Sequence, residues 1–131
     1  MAQALADTSA IYALIDRDDT NHRKAVAILR SSQREGITPL ITNFIVAESH
    51  ALLLSRLGAG IARDWLTQQI WPVEPVIPAD EKKAKEIIQR YTDKEFSYTD
   101  ATSFAVMERL GITAAFAFDI HFKQYGLQLL T

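Results

Sequence analysis

Two short apolar runs, Ala4-Leu5-Ala6 and Ala114-Ala115-Phe116-Ala117-Phe118, each end on an aspartate and open into a helical pattern. Both are apolar throughout rather than alternating, which is the pattern of strands covered on both faces. Leu40-Ile41-Thr42 follows Pro39, and Leu127 to Leu130 follows Gly126. Longer amphipathic stretches separate these runs. Strands and helices in alternation specify an α/β domain with a parallel sheet and right-handed crossovers. In such sheets ligands gather outside the carboxyl ends of the strands.

Periodicity and punctuation place the helices. Asp7 or Thr8 can cap a first helix, with Ile11, Leu14 and Ile15 on one face. A second runs from His22 to Arg34. Asn43 can cap a third, which Gly58 stops near Leu57. A fourth covers about Ile61 to Ile70. Trp71 to Ile77 leans toward strand, but Pro72 and Pro75 confine it to an edge. Ala79 or Asp80 starts a fifth helix reaching about Tyr91. Tyr98 to Leu110 forms a sixth, and Asp119 caps a short one ending near Gly126.

At 131 residues the chain suits one domain, spanning 1–131, with a core that needs no staples. It has no cysteine, so disulfides, thiolate metal sites and cysteine nucleophiles are excluded. The first residues lack the basic start and long apolar stretch of a signal peptide, and no apolar run is long enough to cross a membrane. A cytoplasmic protein without membrane association is the expectation. The net charge of -2 argues against coating nucleic acid by bulk positive charge, but not against holding it locally.

Four acidic residues fit poorly as mere surface. Asp7 and Asp119 follow the two apolar runs, so both face the carboxyl edge of the sheet; each is also a plausible helix cap. Asp100 stands in the first turn of the sixth helix, where the helix dipole favours a carboxylate. Glu48 has Phe44, Ile45, Ala51 and Leu52 as its helical neighbours. That apolar face predicts a buried Glu48, at substantial cost if ionised and unpaired. Adjacent first and last apolar strands would bring Asp7 and Asp119 together, with the third and sixth helices carrying Glu48 and Asp100 over them. Four ionised carboxylates in one small volume need a cation. An oxygen-only ligand set selects a hard ion, Mg²⁺ or Mn²⁺, and suits phosphodiester hydrolysis.

The same residues carry a resemblance to the PIN-domain ribonucleases, and within them to the VapC-type toxins. The matching segments are Leu5-Ala6-Asp7-Thr8-Ser9-Ala10, Ala47-Glu48-Ser49, Tyr98-Thr99-Asp100-Ala101-Thr102-Ser103-Phe104 and Phe118-Asp119-Ile120-His121-Phe122. Asp19-Thr20-Asn21-His22 is a further recurring element. The resemblance implies a three-layer α/β/α PIN-like domain with a central five-stranded parallel sheet. It implies that Asp7, Glu48, Asp100 and Asp119 bind one or two divalent ions for endonucleolytic RNA cleavage. Thr8 or Ser9 would support the site. The resemblance also implies a homodimer and a cognate antitoxin.

Weaker signals have ordinary readings beside functional ones. His22, His50 and His121 are not spaced as a metal cluster; His22 packs at a helix start, and His50 is structural or solvent-facing. His121, Lys123 and Arg17 are candidates for touching substrate. Trp65, Leu66, Ile70 and Trp71 form a patch for core packing or for a partner. A receiver-type phosphoacceptor lacks its acidic pair here, and a haloacid-type phosphatase would need an acid where Ser9 stands. A PIN-like RNA- or protein-binding module without catalysis, and a free-standing RNA-processing nuclease, stay open.

Overall fold

The computed structural model describes residues 2–131. The elements run β1 (Gln3–Ala6), α1 (Thr8–Ile15), α2 (His22–Arg34), β2 (Thr38–Thr42), α3 (Asn43–Leu57), α4 (Ala59–Gln68), β3 (Val73–Glu74), α5 (Pro78–Arg90), α6 (Tyr98–Leu110), β4 (Ala114–Phe116), α7 (Ile120–Gln124) and β5 (Gln128–Leu129). Five strands form one parallel sheet in the order β3-β2-β1-β4-β5. The chain winds outward from β1 through β2 to β3, then crosses back to β4 on the other side of β1. Right-handed crossovers therefore put α1–α4 on one face and α5–α7 on the other. The helices pack accordingly, α1 on α2 and α3, α3 on α4, and α6 on α5 and α7.

The expected parallel sheet is present, and β1 and β4 are neighbours, with Leu5 beside Ala115 and Ala6 beside Phe116. The winding reverses between these two strands, which opens a crevice at their carboxyl ends. Several boundaries differ from the sequence reading. Thr42, not Asn43, caps α3, because its hydroxyl accepts from the Ile45 amide at 3.1 Å. Helix α5 starts at Pro78, whose fixed φ and missing N–H suit a first helical position. Strand β3 shrinks to two residues because Pro72 and Pro75 bracket it. Gly58 ends α3 as expected, at φ 94°.

The core joins Leu5, Ile11, Ile41, Ile45, Phe104, Phe116 and Phe122, all essentially inaccessible. Phe104 stacks on Tyr125 at 4.4 Å and meets Phe122 edge-on at 5.0 Å. These rings hold the five-residue α7, a helix too short to stand alone. The aromatic patch divides: Trp65 and Trp71 pack against the core, whereas Leu66 and Ile70 face outward, Ile70 at 90% exposure. No helix among the described residues is long and apolar enough to cross a membrane.

Candidate active site

Asp7, Thr8, Ser9, Glu48, Asp100, Asp119 and His121 line one cleft at the carboxyl edge of β1 and β4, together with Leu52 and Ser97. The chain path explains each position. Asp7 follows β1 and caps α1, and its amide donates to the Phe116 carbonyl of β4 at 2.9 Å. Asp119 follows β4 and caps α7, and its Oδ1 accepts from the His121 amide at 2.9 Å. Asp100 is the third residue of α6. Its Oδ2 accepts from the Ser97 amide at 3.1 Å while its own amide donates to Ser97 Oγ at 3.0 Å, a reciprocal cap. Three of the carboxylates are thus helix-capping residues and cleft residues at once, so the two readings do not compete.

Thr8 and Ser9 fix the framework. Ser9 Oγ donates to Asp7 Oδ2 at 2.7 Å and accepts from the Phe118 amide at 3.0 Å, tying the ends of β1 and β4 together. Ser49 Oγ donates to Thr8 Oγ1 at 3.1 Å, which anchors α3 one residue beyond Glu48.

One sequence expectation needs correction. Glu48 is exposed, not buried. Of its apolar helical neighbours Ile45 is in the core, but Leu52 lines the open cleft, and Glu48 lies on that side with its carboxylate hydrated at the rim. His121, expected near the site edge as a candidate for touching substrate, donates from Nδ1 to Asp100 Oδ2 at 2.8 Å and lies 3.1 Å from Asp119 Oδ1. One ligand atom from each of Asp100, Asp119 and His121 lies within 4.8 Å of the others. Spacing along the chain hid this, since the fold brings α6 and α7 together; the signal available was that His121 lies two residues from Asp119, inside the PIN-like segment. Phe96 meets the imidazole edge-on at 5.7 Å and holds it. His22 packs as expected, its Nδ1 2.7 Å from the Ala13 carbonyl. Arg17 and Lys123 are exposed and do not line the cleft.

The electrostatics single out Asp7. Only 3% of it is exposed, and burial, aided by the charges of Asp100 and Glu48, pushes its carboxyl up to about 7 against the bonds from Ser9. This carboxyl is ill-suited to ionise until a cation offsets burial and its neighbours' charge. Carboxylate oxygens and one imidazole are the donor set of a hard to borderline divalent ion.

Fold and cleft together define a class. Residues 4–127 match the PIN domain, and the chain belongs to the PIN-domain family. Within that family it is a ribonuclease of the VapC toxin type. Its relatives include the 23S rRNA-specific endonuclease VapC20 of Mycobacterium tuberculosis, 35% identical over 123 residues, which make up 92% of each protein. The crystal structure of that Sarcin-Ricin loop cleaving toxin superposes with a TM-score of 0.85 at 31% identity, covering 95% of each chain. FitAcB from Neisseria gonorrhoeae shares the fold at a TM-score of 0.71 and 19% identity, over 98% of this chain and 96% of that one.

Proposed function

We propose that this chain cleaves ribosomal RNA in a divalent-metal-dependent reaction, with Asp7, Glu48, Asp100 and Asp119 as its catalytic, metal-holding residues. One observation carries the reading. Four carboxylates from separate elements line one cleft at the point where the sheet's winding reverses, and burial together with the charges of Asp100 and Glu48 pushes the Asp7 carboxyl well above the usual carboxylate range. Mg²⁺ or Mn²⁺ would be held there, supplying Lewis acidity toward phosphate oxygens and an activated water. Ser9 orients the Asp7 carboxylate, and His121 holds Asp100 and Asp119 at a fixed spacing. Likeness to VapC20, a 23S rRNA-specific endonuclease that cleaves the Sarcin-Ricin loop, supports 23S rRNA as substrate. Arg17 and Lys123 would meet that RNA only outside the cleft.

The reading extends to a homodimer and a cognate antitoxin in the cytoplasm. Its support is the VapC-type membership and the apolar groove between α1 and α4, walled by Ile15, Ile61, Trp65 and Ile70.

The test is incubation of purified protein with intact ribosomes, isolated 23S rRNA and transfer RNA, each with Mg²⁺, with Mn²⁺ and with EDTA. A discrete cut in 23S rRNA that EDTA abolishes is expected. Cutting that survives EDTA overturns the metal assignment, and cutting confined to transfer RNA overturns the substrate. In the same assay His121→Ala should raise the metal concentration for half-maximal cleavage by ~10–100-fold, the usual cost of losing a group that orients metal-binding carboxylates. An unchanged metal dependence removes His121 from this role.

A further inference from the structure

Beside the carboxylate cleft lies a second depression of about 360 Å³ that shares Ser9, Leu52 and Asp119 with it. Its size falls in the ~300–1,000 Å³ range of small-ligand clefts. The carboxylate cleft is acidic, yet an RNA strand brings a phosphate on each side of the bond being cut. Arg56 is the one Lys or Arg among the residues lining either depression.

Arg56 is held in place without a direct ion pair, although the Asp16 carboxylate acts on it through space. Its guanidinium sits 5.2 Å from the centroid of the Tyr12 ring, within cation–π range. The ring is itself fixed, because the Tyr12 hydroxyl donates to Asp16 Oδ2 at 2.6 Å. Among the described residues no carboxylate forms an ion pair with Arg56. Arg109 is the contrast: its donors are spent on Asp80, Glu74 and the Pro75 carbonyl.

Two further groups in the same depression suit a nucleobase. Asn21 lines the depression and stands at the N-cap of α2 but makes no side-chain capping bond, and among the described residues its side-chain amide has no hydrogen-bond partner. Its backbone is fixed instead by Asp19 Oδ2 at 3.0 Å. Phe118 is half-buried, with its amide pinned to Ser9 Oγ and its ring edge-on to Phe116 at 6.2 Å. A rigid, partly exposed ring is a stacking surface for an unpaired base.

We propose that this depression is the subsite for the nucleotide adjoining the cleaved phosphodiester, with Arg56 on its phosphate, Phe118 and Leu52 against its base, and Asn21 reading the base edge. The proposal rests on the nuclease reading above. Arg56→Gln should raise KM roughly tenfold or more, the scale of a charged hydrogen bond, with kcat within about twofold. It should also flatten the salt dependence of KM by about 0.7 in log–log slope, one phosphate contact to a single strand. Arg56→Lys should keep that slope. Asn21→Ala should change the base distribution beside the cut in a randomised RNA library. Arg34→Gln, at the amino end of the sheet, is the control and should do none of this. Unchanged KM and salt slope in Arg56→Gln, or equal changes in Arg34→Gln, overturn the subsite. If the wild type cuts no RNA, the nuclease reading fails by itself. Fluorescence anisotropy with a single-stranded RNA then decides the subsite: Arg56→Gln must bind more weakly than wild type, and equal binding overturns it.

Discussion

Asp7→Asn is expected to lower RNA cleavage by at least ~10³-fold and to stabilise the metal-free protein at neutral pH. The first effect follows from removing a charge at the buried centre of the cleft. The second follows from linkage. Burial, with the charges of Asp100 and Glu48, raises the Asp7 carboxyl from 3.8 to about 7 in the folded chain. Between those values the native state keeps a proton that the unfolded chain has released. Stability therefore falls as pH rises through that window and levels off above it, by roughly 4 kcal/mol in total. Asparagine has the same shape and no charge to lose, so this fall should vanish in the variant. Metal binding should restore stability to the wild type and much less to Asp7→Asn. Urea unfolding at about pH 5 and about pH 8, with EDTA and with Mn²⁺, reads all of this. Wild-type cleavage by Asp7→Asn would sink the catalytic assignment. Equal pH dependence in the two proteins would sink the electrostatic one.

Much of the cleft was legible because strand polarity is a strong constraint. An aspartate that ends an apolar run must lie at the strand's carboxyl end, so Asp7 and Asp119 share an edge whatever the loops do. Their adjacency depends on strand order, which local patterns do not encode; the family resemblance pointed to it. Glu48 shows where pattern reasoning misleads. An apolar helix face predicts burial, yet the same face can border a cleft, and only the packing of α3 against α1 tells the two apart. His121 was legible from its place beside Asp119, but its bond to Asp100 on α6 was not, and Arg56, which acts through Tyr12 on α1, had no local signature. The short β3 was readable from its flanking prolines, whereas the start of α5 was not, because Pro78 reads as a breaker and serves as the first helical residue.

The largest purely structural effect is expected from Arg109→Met. Arg109 lies in the last turn of α6, at the end opposite Asp100, and binds Asp80 through Nε to Oδ1 at 3.0 Å and Nη2 to Oδ2 at 2.9 Å. It also reaches Glu74 of the edge strand β3 at 3.0 Å, so it joins α6 to α5 and to the sheet margin. Asp80 is only 3% exposed and accepts from the Ile77 amide at 3.0 Å to cap α5. Burial acts to raise its carboxyl, but the Arg109 bonds and the Ile77 amide together outweigh it and hold it below the usual carboxylate range. Removing the guanidinium strands a buried anion, at a cost of ~3–5 kcal/mol. Asp80→Ala leaves Arg109 free to keep Glu74 and to reach water, so its cost should be smaller, near the ~1 kcal/mol of a lost cap plus the lost pair. The acid response should invert as well. The wild-type pair stabilises above the unfolded carboxylate pKa and is lost as pH falls through the lowered one. In Arg109→Met the unpaired Asp80 carboxyl moves upward instead, so acidification toward about pH 4 should recover part of the loss. Urea unfolding of both variants at about pH 7 and about pH 4 tests the ordering. An Asp80→Ala protein less stable than Arg109→Met at neutral pH would show that the cap, and not the buried charge, dominates. Cleavage per folded molecule should stay at the wild-type level in both, because the pair lies a full helix length from the carboxylate cleft.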